Sequence, residues 1–185
     1  MHILALCGSL RAASINAALL RTCARLAPQD MQISVWPGLA DLPLFNPDLQ
    51  AQTPGSVLAL YQRVAAADAL LIASPEYAHG VSGVIKNALD WLVSFEPFVN
   101  KPIAVLNASA RARHADAALR ETLVTMSANL VKPASITLPL LGSALTEETM
   151  ALDTAVSGQI RAALSELRRA VSRGEPPATA SFPVG

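Results

Sequence analysis

The sequence predicts an α/β fold, a doubly wound parallel sheet of five strands in the order 2-1-3-4-5. Three observations carry that expectation. Short apolar runs alternate with amphipathic stretches five times along the chain, the pattern of strands joined by crossover helices. The third run, Ala69-Leu70-Leu71-Ile72-Ala73, is apolar throughout, as a strand covered on both faces must be. Right-handed crossovers leave few topologies for such a chain, and this order is one of the two common ones.

The elements follow in order. Ile3-Leu4-Ala5-Leu6-Cys7 is the first strand, closed by Gly8-Ser9. Ile15, Ala18, Leu19, Cys23 and Leu26 then recur at helical spacing, with Ser14 placed to cap the helix and Pro28 just past its end. Gln32-Ile33-Ser34-Val35 is the second strand, and an irregular stretch with Pro37, Pro43 and Pro47 follows. Thr53-Pro54 opens a second helix, a capping residue followed by proline at the first helical position. After the third strand, residues 74–80 break the pattern, and Val84, Ile85, Ala88, Leu89 and Leu92 mark a helix face. Ile103-Ala104-Val105-Leu106 is the fourth strand, and residues 115–130 the next helix. Ala134, Ile136 and Leu138 alternate with polar residues and predict a half-exposed fifth strand at the sheet edge. A last helix is expected over residues 147–172, acidic at its start and basic at its end, as the helix dipole favours. Residues 1–173 read as one domain, and residues 174–185, with three prolines, as a flexible tail.

Composition narrows the function. The 185 residues carry 14 basic and 14 acidic side chains, so the net charge is zero. That balance argues against a nucleic-acid binder and against a polybasic membrane anchor. No run approaches the roughly 18 apolar residues a membrane span needs, and the start shows no secretory signal pattern. Cys7 and Cys23 make no disulfide framework, and His2, His79 and His114 are scattered rather than set at metal-ligand spacing. The expectation is a cytoplasmic protein. With only 15% charged residues to cover its surface, it is expected to form a homodimer or homotetramer, with residues 44–46 and 84–95 near the interface.

The predicted topology also locates the site. The strand order reverses between strands 1 and 3, so the loops after them converge at the carboxyl edge of the sheet. The first loop, Gly8-Ser9-Leu10-Arg11-Ala12-Ala13-Ser14, lacks both the dinucleotide glycine pattern and the P-loop pattern. It does place two hydroxyls and a guanidinium ahead of a helix N-terminus, a combination suited to a phosphomonoester. The alternative is a capped helix beside a solvated arginine. Gly80-Val81-Ser82-Gly83 is not a hydrolase elbow, since Val84 stands where the second glycine is required.

Two blocks carry a family resemblance: Gly8-Ser9-Leu10-Arg11-x-x-Ser14-x-Asn16, and Pro75-Glu76-Tyr77-x-x-Gly80-x-x-Gly83-x-x-Lys86-Asn87-x-Leu89-Asp90-Trp91, with Leu42-Pro43-Leu44-Phe45-Asn46-Pro47-Asp48 between them. Together they resemble the NADPH-dependent FMN reductase family of flavodoxin-like proteins over roughly residues 2 to 140. The resemblance implies that Ser9, Arg11, Ser14 and Asn16, with the Ile15 backbone, hold the phosphate of FMN. It implies that Pro75, Glu76, Tyr77, Ala78 and Gly80 line the flavin, mainly through backbone N–H groups, and that Ser109 completes the cradle. Lys86, Asn87 and Asp90 read as structural braces, Trp91 as core or interface, and Cys7 as a buried small hydrophobe. The family's third loop is often glycine-rich, whereas residues 108–114 contain no glycine.

The implied activity is an oxidoreductase passing hydride from NADPH or NADH through FMN to a small-molecule acceptor such as a quinone, azo compound, metal oxyanion or free flavin. The flavin carries such chemistry, so no dedicated catalytic side chain is expected. The alternatives are a flavodoxin-type electron carrier without NAD(P)H turnover, and a flavin-free scaffold.

Overall fold

The computed structural model describes residues 1–174. Its sheet is assembled from β1 (His2–Cys7), β2 (Gln32–Trp36), β3 (Ala69–Ala73), β6 (Pro102–Leu106) and β7 (Asn129–Leu130). All pairings are parallel and the order is β2-β1-β3-β6-β7, which is 2-1-3-4-5 when sheet strands alone are numbered. Between β3 and β6 the chain forms a small antiparallel hairpin, β4 (Glu76–Tyr77) and β5 (Gly80–Val81). The helices are α1 (Ile15–Leu26), α2 (Gly55–Ala66), α3 (Gly83–Leu92), α4 (Arg113–Thr125), α5 (Glu147–Leu152) and α6 (Thr154–Arg173).

Alternation along the strands sorts the core into two layers. Ile3, Ala5, Leu71 and Ala104 face one side, where Leu19, Leu20 and Cys23 of α1 meet Ile160, Leu164 and Leu167 of α6. Leu4, Leu6, Leu70, Ile72, Ile103 and Val105 face the other, against Val57 and Leu60 of α2, Ile85 and Trp91 of α3, and Leu119 and Leu123 of α4. Burial on both faces explains why the central strands lack polar alternation. Cys7 and Cys23 are both free and buried, and burial pushes the Cys23 thiol up to about 12.

Four local expectations are corrected. The helix expected over 115–130 ends at Thr125, because Ser127 takes a left-handed φ of 59° and the chain re-enters the sheet as β7. The fifth strand is therefore Asn129–Leu130, not residues 134–138. Lys132–Ala134 forms a 3₁₀ turn around Pro133, and the later stretch pairs with the sheet edge by the single bridge from Thr137 to Asn107, supplemented by Ser135. Ser135 fills the gap, its Oγ accepting the Val105 N–H at 3.0 Å. The last helix breaks at Asp153, which is extended and caps α6 by accepting from the Val156 N–H at 2.9 Å. Thr53 does not cap α2; its hydroxyl donates to Gln50 O, and Pro54 takes the cap position. The expected tail over residues 174–185 lies, apart from Gly174, outside the described residues.

The expected brace works as a tie between α3 and the irregular loop. Asn87 Oδ1 accepts from Phe45 N–H at 2.8 Å, while its Nδ2 and the Trp91 indole N–H both donate to Pro43 O. Phe45 also packs edge-on against Trp91, with centroids 5.1 Å apart. Lys86 pairs with Asp90 along the exposed side of α3.

Candidate active site

Chain direction produces the site. From β1 the chain crosses to β2 on one side, and the path to β3 lies on the other, so the loops leaving β1 and β3 diverge and open a crevice. Gly8 opens the first loop, its N–H donating to Ala73 O at the end of β3. The approach there is too close for a side chain: a Cβ at position 8 would lie 2.4 Å from Ser74 Oγ, 2.7 Å from Ser82 Oγ and 2.8 Å from Ile85 Cγ1. The loop then exposes Arg11 and returns to Ser14, whose Oγ caps α1 by accepting the Ala17 N–H at 3.3 Å. That bond leaves the Ser14 O–H free to donate outward. The N–H groups of Ile15 and Asn16 have no carbonyl four residues back within α1, as at any helix start.

A pocket of about 380 Å³ occupies the crevice, a size suited to a small-molecule ligand. The first loop contributes Ser9, Arg11, Ala13, Ser14, Ile15 and Asn16, and the second Ser74, Pro75, Glu76 and Tyr77. The third, after β6, contributes Asn107, Ala108, Ser109, Arg111 and Ala112, and Leu141 reaches in from beyond β7. Nine of the eleven residues expected to bind the cofactor thus meet in one cavity. Ala78 and Gly80 are not among its lining; Ala78 sits at the hairpin turn and Gly80 begins β5. Ser9 and Asn16 are buried, while Tyr77 is 55% exposed and stands at the mouth.

The lining is polar on the α1 side and cationic at its edges. Arg11 and Arg111 both line the pocket, and neither enters an ion pair among the described residues. Glu76 is the one carboxylate of the lining. Its pKa is held below the usual carboxylate value, chiefly by the Ala115 N–H it accepts at 2.8 Å, with His79 and His114 adding to the effect. His79 Nδ1 lies 3.2 Å from Glu76 Oε1 and its ring meets that of His114 edge-on at 4.4 Å, beyond the pocket lining.

The loop without glycine is shaped by a side chain instead. Asn107 Oδ1 accepts from Ser109 N–H at 3.0 Å, and its Nδ2 donates to Ala112 O at 3.1 Å. Ser109 Oγ accepts the Arg111 N–H at 3.2 Å. Sequence reasoning passed over Asn107, although a polar residue ending an apolar strand is a usable signal. Leu141 carries no such signal, because only the tertiary fold brings it to the pocket.

Comparison with known proteins agrees with this geometry. The profile of the NADPH-dependent FMN reductase family matches residues 1–140. A "NAD(P)H-dependent FMN reductase" of Pseudomonas aeruginosa is 34% identical over 179 residues, covering 94% of this chain and 96% of that protein. A "Quinone reductase" of Escherichia coli K12 is 36% identical over 113 residues, 59% of this chain and 60% of that one, so the matched part spans about three-fifths of that relative. Among solved structures, the flavoenzyme NAD(P)H:(acceptor) oxidoreductase FerB from Paracoccus denitrificans superposes with a TM-score of 0.71 at 25% identity, over 91% of this chain and 97% of that one. With the flavodoxin-like sheet order, the pocket at its switch point and a profile match over most of its length, this chain belongs to the NADPH-dependent FMN reductase family.

Proposed function

We propose that this protein is an FMN-dependent NAD(P)H oxidoreductase that reduces a small acceptor of the quinone class. The observation carrying this reading is the meeting, in one cavity, of the hydroxyl- and guanidinium-bearing loop before α1 with the Pro75-Glu76-Tyr77 segment after β3. The residues fit FMN chemically. Arg11, the hydroxyls of Ser9 and Ser14, and the N–H groups of Ile15 and Asn16 form a donor set for a phosphate dianion. Asn16, in the same lining, carries a buried Oδ1 without a hydrogen-bond partner, an acceptor that a ligand hydroxyl such as those of the ribityl chain would satisfy by donating.

When bound, FMN would supply the redox chemistry: hydride acceptance from NAD(P)H and two-electron delivery to the acceptor. The chain's own residues bind and orient. Ser9, Arg11, Ser14 and Asn16 would hold the phosphate end, Pro75, Glu76 and Tyr77 would flank the ring system with Ala78 and Gly80 outside the lining, and Ser109 would close the third side. Tyr77, half exposed at the mouth, bounds the place where nicotinamide and acceptor alternate.

Assembly as a homodimer or homotetramer belongs to the same proposal. Leu44 is 83% exposed on the loop tied to α3, and Val93 is 65% exposed at the end of that helix. These are apolar groups that a neighbouring copy would cover. No helix among the described residues is long and apolar enough to cross a membrane, and a cytoplasmic location fits two buried, free thiols.

Anaerobic stopped-flow spectroscopy tests the activity. The FMN-loaded protein is expected to bleach on mixing with NADPH and to recover its yellow colour on mixing with benzoquinone. A yellow protein that NADPH and NADH both fail to bleach would establish the electron-carrier reading instead. Protein that takes up no FMN would establish the scaffold.

A further inference from the structure

α4 begins without a cap of its own. Its N-cap position is Ala112, which has no side-chain acceptor, and the preceding loop reaches the first turn only through Arg111 O, which accepts the Arg113 N–H at 3.0 Å. The Ala115 N–H, third in the helix, is the one an N-cap serine or aspartate would ordinarily receive. Here Glu76 receives it, from a different loop and 39 residues away, at 2.8 Å. The same carboxylate meets His79 across the hairpin turn at 3.2 Å. That turn is held in an unfavourable conformation, because Ala78 (φ 48°) and His79 (φ 60°) are both left-handed without being glycine.

Two walls of the pocket are therefore fastened through one side chain. The hairpin after β3 carries Glu76 and Tyr77, and the loop after β6 runs from Asn107 to Ala112 directly into α4. Asn107 fixes the inside of that loop, but only Glu76 fixes it relative to the hairpin by a side-chain bond among the described residues. We propose that the Glu76 side chain is a positioning residue for the flavin: it caps α4 in place of Ala112 and so sets the spacing between the two loops that enclose the ring system. This rests on the FMN reading above.

The role implies an energetic coupling between ring binding and the Glu76–Ala115 bond. In wild-type protein, FMN should slow amide exchange at Ala115 N–H measurably, since closing the two walls on a ligand stabilises the bond that joins them. Glu76→Ala should weaken FMN and riboflavin alike by about tenfold, the loss expected for one charge-assisted hydrogen bond. Glu76→Gln, which keeps an acceptor oxygen, should restore both to within about threefold of wild type.

A double variant separates positioning from simple capping. Glu76→Ala with Ala112→Ser gives α4 a local acceptor for the Ala115 N–H, so thermal stability should return while flavin affinity should not. The assay is titration of apo-protein with FMN and with riboflavin, beside thermal melts and exchange measurements on wild-type protein. Recovery of affinity together with stability in the double variant would overturn the proposal. So would unchanged Ala115 exchange on adding FMN to wild type, a test that requires no variant to fold. Wild-type protein that binds no flavin would instead refute the FMN reading itself.

Discussion

Removing the Arg11 guanidinium tests whether the loop before α1 holds a phosphate. A phosphomonoester carries close to two negative charges at neutral pH. Within residues 8–14, Arg11 is the only cation, and the remaining donors are two serine hydroxyls and the helix-start N–H groups. Those groups can hydrogen-bond the dianion but bring no full positive charge to it. A charge-assisted hydrogen bond contributes about 1.5–3 kcal/mol. Arg11 is exposed, and screening by water and salt places its share toward the lower end. Arg11→Ala should therefore weaken FMN binding by about 1.5–2 kcal/mol, roughly ten- to thirtyfold. Riboflavin lacks the phosphate and should bind the variant and the wild type equally. Flavin fluorescence quenching on apo-protein measures both, and raising the salt should narrow the FMN difference. Equal losses for the two flavins, or no loss for either, would refute Arg11 as the phosphate anchor. Together with the Glu76 variants this yields a double contrast, one residue acting through the phosphate and the other through the ring.

Three further outcomes are expected. Gly8→Ala places a Cβ within 2.8 Å of three side-chain atoms, two of them on the buried Ser82 and Ile85; it should destabilise the fold by about 1–3 kcal/mol in urea titrations. Asn87→Ala strands Phe45 N–H and leaves Pro43 O with the Trp91 indole alone. That should cost about 1–3 kcal/mol, read from the same titrations, and loosen the loop bearing Leu44. The third concerns acid. Because the folded-state pKa of Glu76 is depressed below its unfolded value of 4.5, its contribution is fully present above that value and is lost as pH falls through the folded pKa. Unfolding midpoints should therefore decline below about pH 4.5, and Glu76→Gln should show less of that decline.

Much of the fold was legible because burial on both faces leaves a plain mark. Ala69–Ala73 could hardly be other than a central strand, and five apolar runs separated by helical spacing admit few topologies. The loops of the site were legible for a related reason: the switch point follows from strand order, and strand order from handedness. What escaped were the places where a single residue overrides the apolar pattern, one through its side chain and one through its backbone. Ser135 completes a sheet edge that the sequence reads as an ordinary strand, and Ser127 ends a helix whose apolar spacing runs on past it.

The chain by itself determined the doubly wound sheet, the position of its crevice and the polar loop ahead of α1, because periodicity and local capping express themselves within a few residues of sequence. Only the tertiary structure decided that Leu141 reaches the pocket, that Asn107 shapes a loop without glycine, and that α4 takes its cap from Glu76. The first and the last depend on groups far apart in sequence meeting, while the Asn107 bonds to Ser109 and Ala112 are local and show only once the loop conformation is known. An Ala115 N–H left open by Ala112 shows that a partner is needed; which residue supplies it is settled by the packing of β3's loop against α4.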